Sequence, residues 1–339
     1  MNVVGLGATP GRPGGRRRRG GAEQSMVPDA DFRSYYGMPV VKASPWQSDI
    51  PAYIFFGGLS AGSSLLAAGA DLTDRPTLRR AGRLTALVSM SATMATLVHD
   101  LGRPARFLNM LRTVKLTSPM SVGSWILAAY GPVAGVTAVA ELAELLSGRR
   151  QRGLLGLLAG VGRPAGLVAG LTAPPVAAYT AVLLADTATP SWHEAYRELP
   201  FVFVGSAAAA AGGLAMVTTP VEQAGPARRM AVGGAVLELA AARRMENSMG
   251  ITAEPLHQGL AGRLMKASTA LTAAGAVGSL VSSRSRLLSA VSGAALVVAS
   301  VCTRFGIFEA GQASARDPRY TVAPQRERVD AGRPVRHDP

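Results

Sequence analysis

The chain has 339 residues, 48% hydrophobic and 17% charged, with a formal net charge of +14. A water-soluble domain carries charge on nearer a quarter of its residues, and the mean hydropathy here is +0.22. The pI of about 11.0 invites a nucleic-acid reading; the placement of the charges excludes it, because they crowd into tails and short connectors beside apolar runs, where anionic headgroups attract them.

Cysteine and histidine narrow the chemistry further. There is one cysteine, Cys302, and four histidines, His99, His193, His257 and His337. An iron–sulfur cluster normally takes four cysteines, and only His99 lies near a span interior. No haem and no iron–sulfur cluster are therefore expected in this chain. Any redox role is expected to act on a diffusible carrier, with electrons handed over by another protein.

In sequence order, residues 1–33 read as a disordered basic tail, with the low-complexity run GRPGGRRRRGG inside it. No cleavable signal peptide is evident, and Met26 is an alternative start. Trp46 and Tyr53 suit the interfacial aromatic belt around the first span, about 50–70. A tight polar turn with Asp71, Asp74, Arg79 and Arg80 leads to the second span, about 82–101. That span runs into His99-Asp100-Leu101-Gly102-Arg103. Ionisable groups at such a depth are costly unless paired and so default to function; the alternative is that Asp100 and Arg103 only cap and snorkel. Arg103, Arg106, Arg112 and Lys115 alternate with apolar residues over 103–115, which reads as an interfacial amphipathic helix or as a dock for a partner. The third span is about 120–142.

The fourth span is about 163–186, with 154–161 as its apolar approach along the interface. Pro174 and Pro175 predict a kink, which frees carbonyls for a cavity or a neighbour. Tyr179 follows within two turns and either reaches a ligand or bonds nearby backbone. A connector with Asp186, Trp192, His193 and Glu194 precedes the fifth span, about 199–218. The sixth, about 229–245, carries Glu238 within its apolar run and Arg243 at its exit, close enough for a snorkelling pair. The seventh and eighth are about 264–281 and 287–309, the last including Arg304. Residues 314–339 read as a basic, proline-rich tail.

Together these predict an all-α integral membrane protein: eight transmembrane helices as two packed four-helix bundles over 34–313, with disordered basic tails. With eight spans, both termini share one side. The polar groups from Trp46, Tyr53, His99, Asp100, Arg103, Tyr179, Asp186, His193, Glu194, Arg243, Arg304 and Glu309 then fall on or near one face. Such a face suits either a small amphipathic carrier or a peripheral subunit. A quinone needs an apolar slot, donors at its carbonyls and a titratable group within reach, and Tyr179, His99 and Asp100 supply those types.

The run HDLGRPARFLNMLR at 99–112, followed by SPMSVGSW at 118–125, resembles the signature of NrfD/PsrC-type membrane subunits of polysulfide, nitrite and dimethyl sulfoxide reductases. PWQSDIPAYIFFGGLSAG (45–62), PPVAAYTAVLL (174–184), PSWHEAYRELPFVFVGSA (190–207) and RFGIFEAGQASARDP (304–318) extend the likeness to nearly the whole chain bar the tails.

The resemblance implies an eight-helix anchor in the cytoplasmic membrane that reacts with menaquinone or ubiquinone. It also implies a four-cluster ferredoxin-like iron–sulfur partner serving a molybdopterin subunit. It implies Tyr179 as the quinone-site tyrosine, with Gln47, Asp49 and Tyr53 as candidates near the first helix and His99 or Asp100 in the proton role. Glu238 is a candidate on a proton path. Arg103, Arg106, Arg112, Lys115, Trp192, His193 and Glu194 are expected to dock the partner, with Arg243 and Arg304 in support. A secondary transporter and a purely structural anchor are the alternatives.

Overall fold

A computed structural model describes residues 39–101, 103, 109–147 and 153–330. The described residues are helical throughout, joined by short turns. The long helices are α1 (Asp49–Leu72), α2 (Pro76–Asp100), α3 (Pro119–Ser147), α4 (Gly153–Ala185), α6 (Leu199–Thr218), α7 (Gly225–Ser248), α8 (Gly259–Val281) and α9 (Arg286–Arg316). A short α5 (Pro190–Glu194) precedes α6, a 3-10 helix (Gly250–His257) precedes α8, and α10 (Arg319–Asp330) closes the described residues.

Local sequence sets the breaks. Proline occupies the first turn of α2, α5, α6 and α7, where its missing N–H leaves no bond unmade. Ser285 caps α9 by accepting from the Leu288 N–H at 3.2 Å. Asp74 takes a positive φ of 51° in the α1–α2 turn, a conformation short polar residues tolerate. Inside lipid a helix satisfies its own backbone, and seven of these helices are long and apolar enough to cross a membrane. α7 has the length, 24 residues, but Arg228, Arg229, Glu238, Arg243, Arg244 and Glu246 set it apart in polarity.

Sequence neighbours pack as hairpins: α1 with α2, α3 with α4, α6 with α7, α8 with α9. α1 also packs on α4 and α6, and α6 on α9, so these four form the middle. Of the apolar window of α1, 83% is buried, against 33% for α2 and 28% for α8, which places the latter two at the periphery. Exposed Val88, Leu171, Val236, Val277 and Val291 cover the outside, the surface a lipid phase would solvate. Ile54, Tyr130, Val176, Phe203, Met245 and Ile307 belong to one buried cluster running between the halves.

Several boundaries differ from expectation. Residues 154–161 are continuous with the fourth span: they lie in α4, a 33-residue helix that carries Pro164, Pro174 and Pro175. The first helix starts at Asp49, and the eighth runs to Arg316, seven residues beyond its expected end at 309. The tail expected to be disordered from 314 instead holds the end of α9 and all of α10. Ion pairs from Arg319 to Glu254 (2.5 Å) and from Arg328 to Glu194 (2.8 Å) tie α10 down. The N-terminal tail and much of the basic segment at 103–115, including Arg106, lie outside the described residues.

Candidate functional site

The hairpin packing brings alternate helix ends together. At one end, Asp49 at the start of α1 meets His99 at the close of α2, Oδ2 to Nδ1 at 2.9 Å. At the same end, Gln312 Nε2 donates to the carbonyls of Ser44 and Trp46, and Ser191 Oγ donates to the Thr252 carbonyl at 2.8 Å. At the other end, Gln223 Oε1 accepts from Thr77 Oγ1 at 2.6 Å, and Arg286 Nη1 donates to the Met216 and Thr219 carbonyls. The polar groups expected on one face are thereby sorted to one end, apart from those noted below.

A pair of phenols forms the interior of that end. Tyr53 on α1 and Tyr179 on α4 hydrogen-bond hydroxyl to hydroxyl, with their rings edge to face, centroids 6.5 Å apart. They are 4% and 8% exposed, so Tyr53 is a core residue and no member of an interfacial belt. Tyr179 bonds another side chain and not backbone. Gly123 on α3 makes the pocket: a Cβ there would stand 2.5 Å from the Tyr179 ring, well inside van der Waals contact. Asp49 lies four residues before Tyr53 and so on the same face of α1. A line therefore runs from Tyr179 through Tyr53 toward Asp49, and on to His99, whose side chain is 79% exposed. Asp100 is partly buried beside the pair, close enough to feel the Asp49 and His99 charges. Gln47 is exposed; its carbonyl accepts from the Ile50 N–H.

Beside the phenols stands an aromatic stack. Trp46 lies on Trp192 at 5.9 Å, and Trp192 tilts against Phe308 at 5.5 Å. The Trp192 indole donates to the Ile307 carbonyl at 2.9 Å. Trp192 is 1% exposed; expected to dock a partner, it instead clamps the N-terminal approach onto α9. His193 and Glu194 do face outward. They border an open cleft of about 420 Å³ together with Asp186, Tyr320 and Arg328. The Tyr320 hydroxyl donates to Glu254 at 3.3 Å, and burial pushes its phenol above the usual range. Arg103, Arg112 and Lys115 are exposed.

Three basic and acidic residues are placed otherwise than expected. Arg243 is exposed and makes no pair with Glu238. Glu238, 3% exposed, accepts instead from Thr303 Oγ1 at 2.6 Å. Arg304 is 1% exposed in the interior; because α9 extends to Arg316, it lies about three turns from the helix end and does not belong to the polar face.

The far end holds an ion cluster that sequence reasoning passed over as connector charge. Arg79 and Arg83 on α2 converge on Glu141 of α3, at 3.0 and 3.1 Å. Arg79 also pairs with Glu144 at 2.7 Å, and Arg83 with Asp71 of α1 at 3.3 Å. Glu141 is 0% exposed. The available signal was spacing: Arg79 and Arg83 are four apart, and Glu141 and Glu144 three, each pair on one helix face.

Residues 39–228 match the family described as Polysulphide reductase, NrfD. The chain belongs to this family. The match covers more than half of its residues and takes in α1 to α6 and the start of α7. The C subunit of the polysulfide reductase of Wolinella succinogenes is 31% identical over 149 residues, 41% of this chain and 47% of that protein; the alignment thus spans about half the length of the curated relative. This NrfD protein, with its long apolar helices, is a multi-pass membrane protein.

Proposed function

We propose that this NrfD protein is the quinone-reactive membrane subunit of a multi-subunit oxidoreductase. All eight long helices cross the bilayer in two four-helix groups. α7 crosses despite its charges, because α6 and α8 both start at the same end of the molecule and only a crossing helix returns the chain between them. The observation that carries the functional reading is the buried Tyr53–Tyr179 pair at the end where Asp49 and His99 meet. The similarity to a protein named as a polysulfide reductase subunit supports the assignment to a complex.

The residues divide the work. The two phenols sit among apolar side chains of α1, α3 and α4, where a quinone ring is soluble, and either hydroxyl turns from its neighbour to donate to a carbonyl oxygen. Asp49 and His99, 2.9 Å apart, exchange protons between that oxygen and the exposed end as general acid and base. Tyr53, one turn from Asp49, links the two pairs. Menaquinone or ubiquinone is the exchangeable substrate. Electrons pass to or from a four-cluster ferredoxin-like subunit seated over this end, which serves a molybdopterin subunit. Exposed Arg103, Arg112 and Lys115, with His193 and Glu194, are the docking groups.

The test uses the assembled complex in lipid. Tyr179→Phe is expected to cut quinol-linked turnover on the order of 100-fold, the scale of a lost proton-transfer group, with subunit stoichiometry unchanged. Wild-type turnover in that variant would overturn the site, and wild-type turnover with a quinone-site inhibitor in excess would leave only a structural anchor.

A further inference from the structure

Glu238 sits about midway along α7, away from the tyrosine pair and enclosed by α6, α8 and α9. Its Oε1 accepts from Thr303 Oγ1 at 2.6 Å. Thr303 Oγ1 is in turn 2.6 Å from Ser268 Oγ and 3.1 Å from the Ala299 carbonyl. The other carboxylate oxygen, Oε2, has no hydrogen-bond partner; nor have Thr272 Oγ1 and the Nε and Nη1 of Arg304, all of them buried. Arg304 spends only Nη2 on protein, donating to the Phe203 carbonyl at 2.7 Å, while its guanidinium lies 3.9 Å from the Phe203 ring centroid. Arg304 and Glu238 feel each other's charge, yet form no direct ion pair among the described residues. The hydroxyls of Ser206 and Thr272 are close enough to favour the charged carboxylate, but Oε2 and Thr272 Oγ1 fall outside the geometry of a direct hydrogen bond, and Ser206 Oγ donates to Ser300 Oγ at 2.9 Å.

An unmet buried polar atom costs roughly 1–3 kcal/mol, and a carboxylate or guanidinium more. Four such atoms in one polar cluster mark a place where water is held, since internal water takes positions offering two to four polar partners. We propose that Glu238 is a proton-exchange site served by internal water between α6, α7, α8 and α9. The hydroxyls accommodate both protonation states. With Glu238 ionised, Ser268 donates to Thr303, and Thr303 donates to Oε1. With Oε1 protonated, the carboxyl O–H donates to Thr303 Oγ1, Thr303 turns its hydrogen to the Ala299 carbonyl, and Ser268 still donates to Thr303. Oε1, Thr303 and Ser268 thus keep a partner in either state, and the atoms left over are those the water serves. In the forward step a proton leaves a hydronium of that internal water for a carboxylate oxygen, leaving water; the reverse step returns it. Arg304 is the charged group acting on Glu238, and the facing groups from α6, α8 and α9 are the hydroxyls Ser206, Ser268, Thr272 and Thr303. The fixed positive charge beside the carboxylate disfavours a sodium ion there, although the hydroxyl-rich lining would otherwise suit one.

Infrared spectroscopy of the full-length chain in phosphatidylcholine nanodiscs reads this without any quinone or partner. A carboxylic C=O band is expected that Glu238→Gln abolishes, that grows as the pH is lowered, and that moves to lower frequency within minutes of exchange into D2O. Replacing sodium by choline is expected to leave that titration in place. A Glu238 band that fails to exchange, a difference spectrum between wild type and Glu238→Gln with no carboxylic band at any pH, or a titration that follows sodium overturns the proposal. If Glu238→Gln does not fold, Thr303→Val keeps the carboxyl and removes its hydrogen bond. The band is then expected to shift in frequency, and an unmoved band overturns the proposal equally.

Discussion

A phenol kept away from water has to hydrogen-bond something, and Tyr53 and Tyr179 meet that need with each other. The arrangement depends on a residue with no side chain: Gly123 leaves the space that the Tyr179 ring fills. Gly123→Val is expected to destabilise by about 1–3 kcal/mol, the usual cost of overpacking, and to displace the ring. Thermal unfolding of the purified protein checks the first effect; loss of quinol-linked turnover at unchanged subunit stoichiometry checks the second. Tyr179 could be singled out in the sequence because it follows the paired prolines within two turns. Its partner was not, because 126 residues separate the two and only helix packing joins them. Trp192 is the converse case. Its place in a polar connector suggested an outward docking residue, whereas the 5.9 Å stack on Trp46 and the bond to Ile307 hold it inside.

Helices α1, α2 and α3 are locked at the far end by charge. Glu141 takes Arg79 and Arg83 together in a fully buried position. Removing one member of such a cluster leaves the others unpaired in a low-dielectric place, at about 3–5 kcal/mol. Glu141→Gln is expected to lower the unfolding temperature of the protein markedly. Arg328→Ala, which loses a half-exposed pair with Glu194, is expected to cost about 1 kcal/mol or less; equal shifts for the two would show that the cluster contributes no more than a surface pair. The length of α4 belongs to this scale too. Pro174 and Pro175 predicted a kink and the apolar run at 154–161 an approach to the span; one helix carries both, running from Gly153 to Ala185 with Pro164, Pro174 and Pro175 inside it.

For the molecule as a whole, the sorting of helix ends fixes which residues share a side. Single cysteines placed in a Cys302→Ser background test it. Val40→Cys and Val329→Cys are expected to react with a membrane-impermeant maleimide from one side of intact vesicles, and Asp74→Cys and Arg284→Cys from the other. Labelling of Val40→Cys and Val329→Cys from opposite sides would mean an odd number of crossings and would remove α7 from the membrane.

The character of the protein, an all-helical multi-pass membrane protein of the NrfD family, was readable from residue order alone. Spans of apolar residues and motifs such as HDLGRPARFLNMLR are local features, and lipid leaves helices as the economical way to satisfy a backbone. What only the tertiary structure decided is which polar groups meet. Asp49 finds His99, Tyr53 finds Tyr179, and Glu238 finds Thr303 where the nearby Arg243 had been expected. Each meeting joins residues at least 50 positions apart, and in a membrane interior the partner of a buried polar group is set by which helix faces touch.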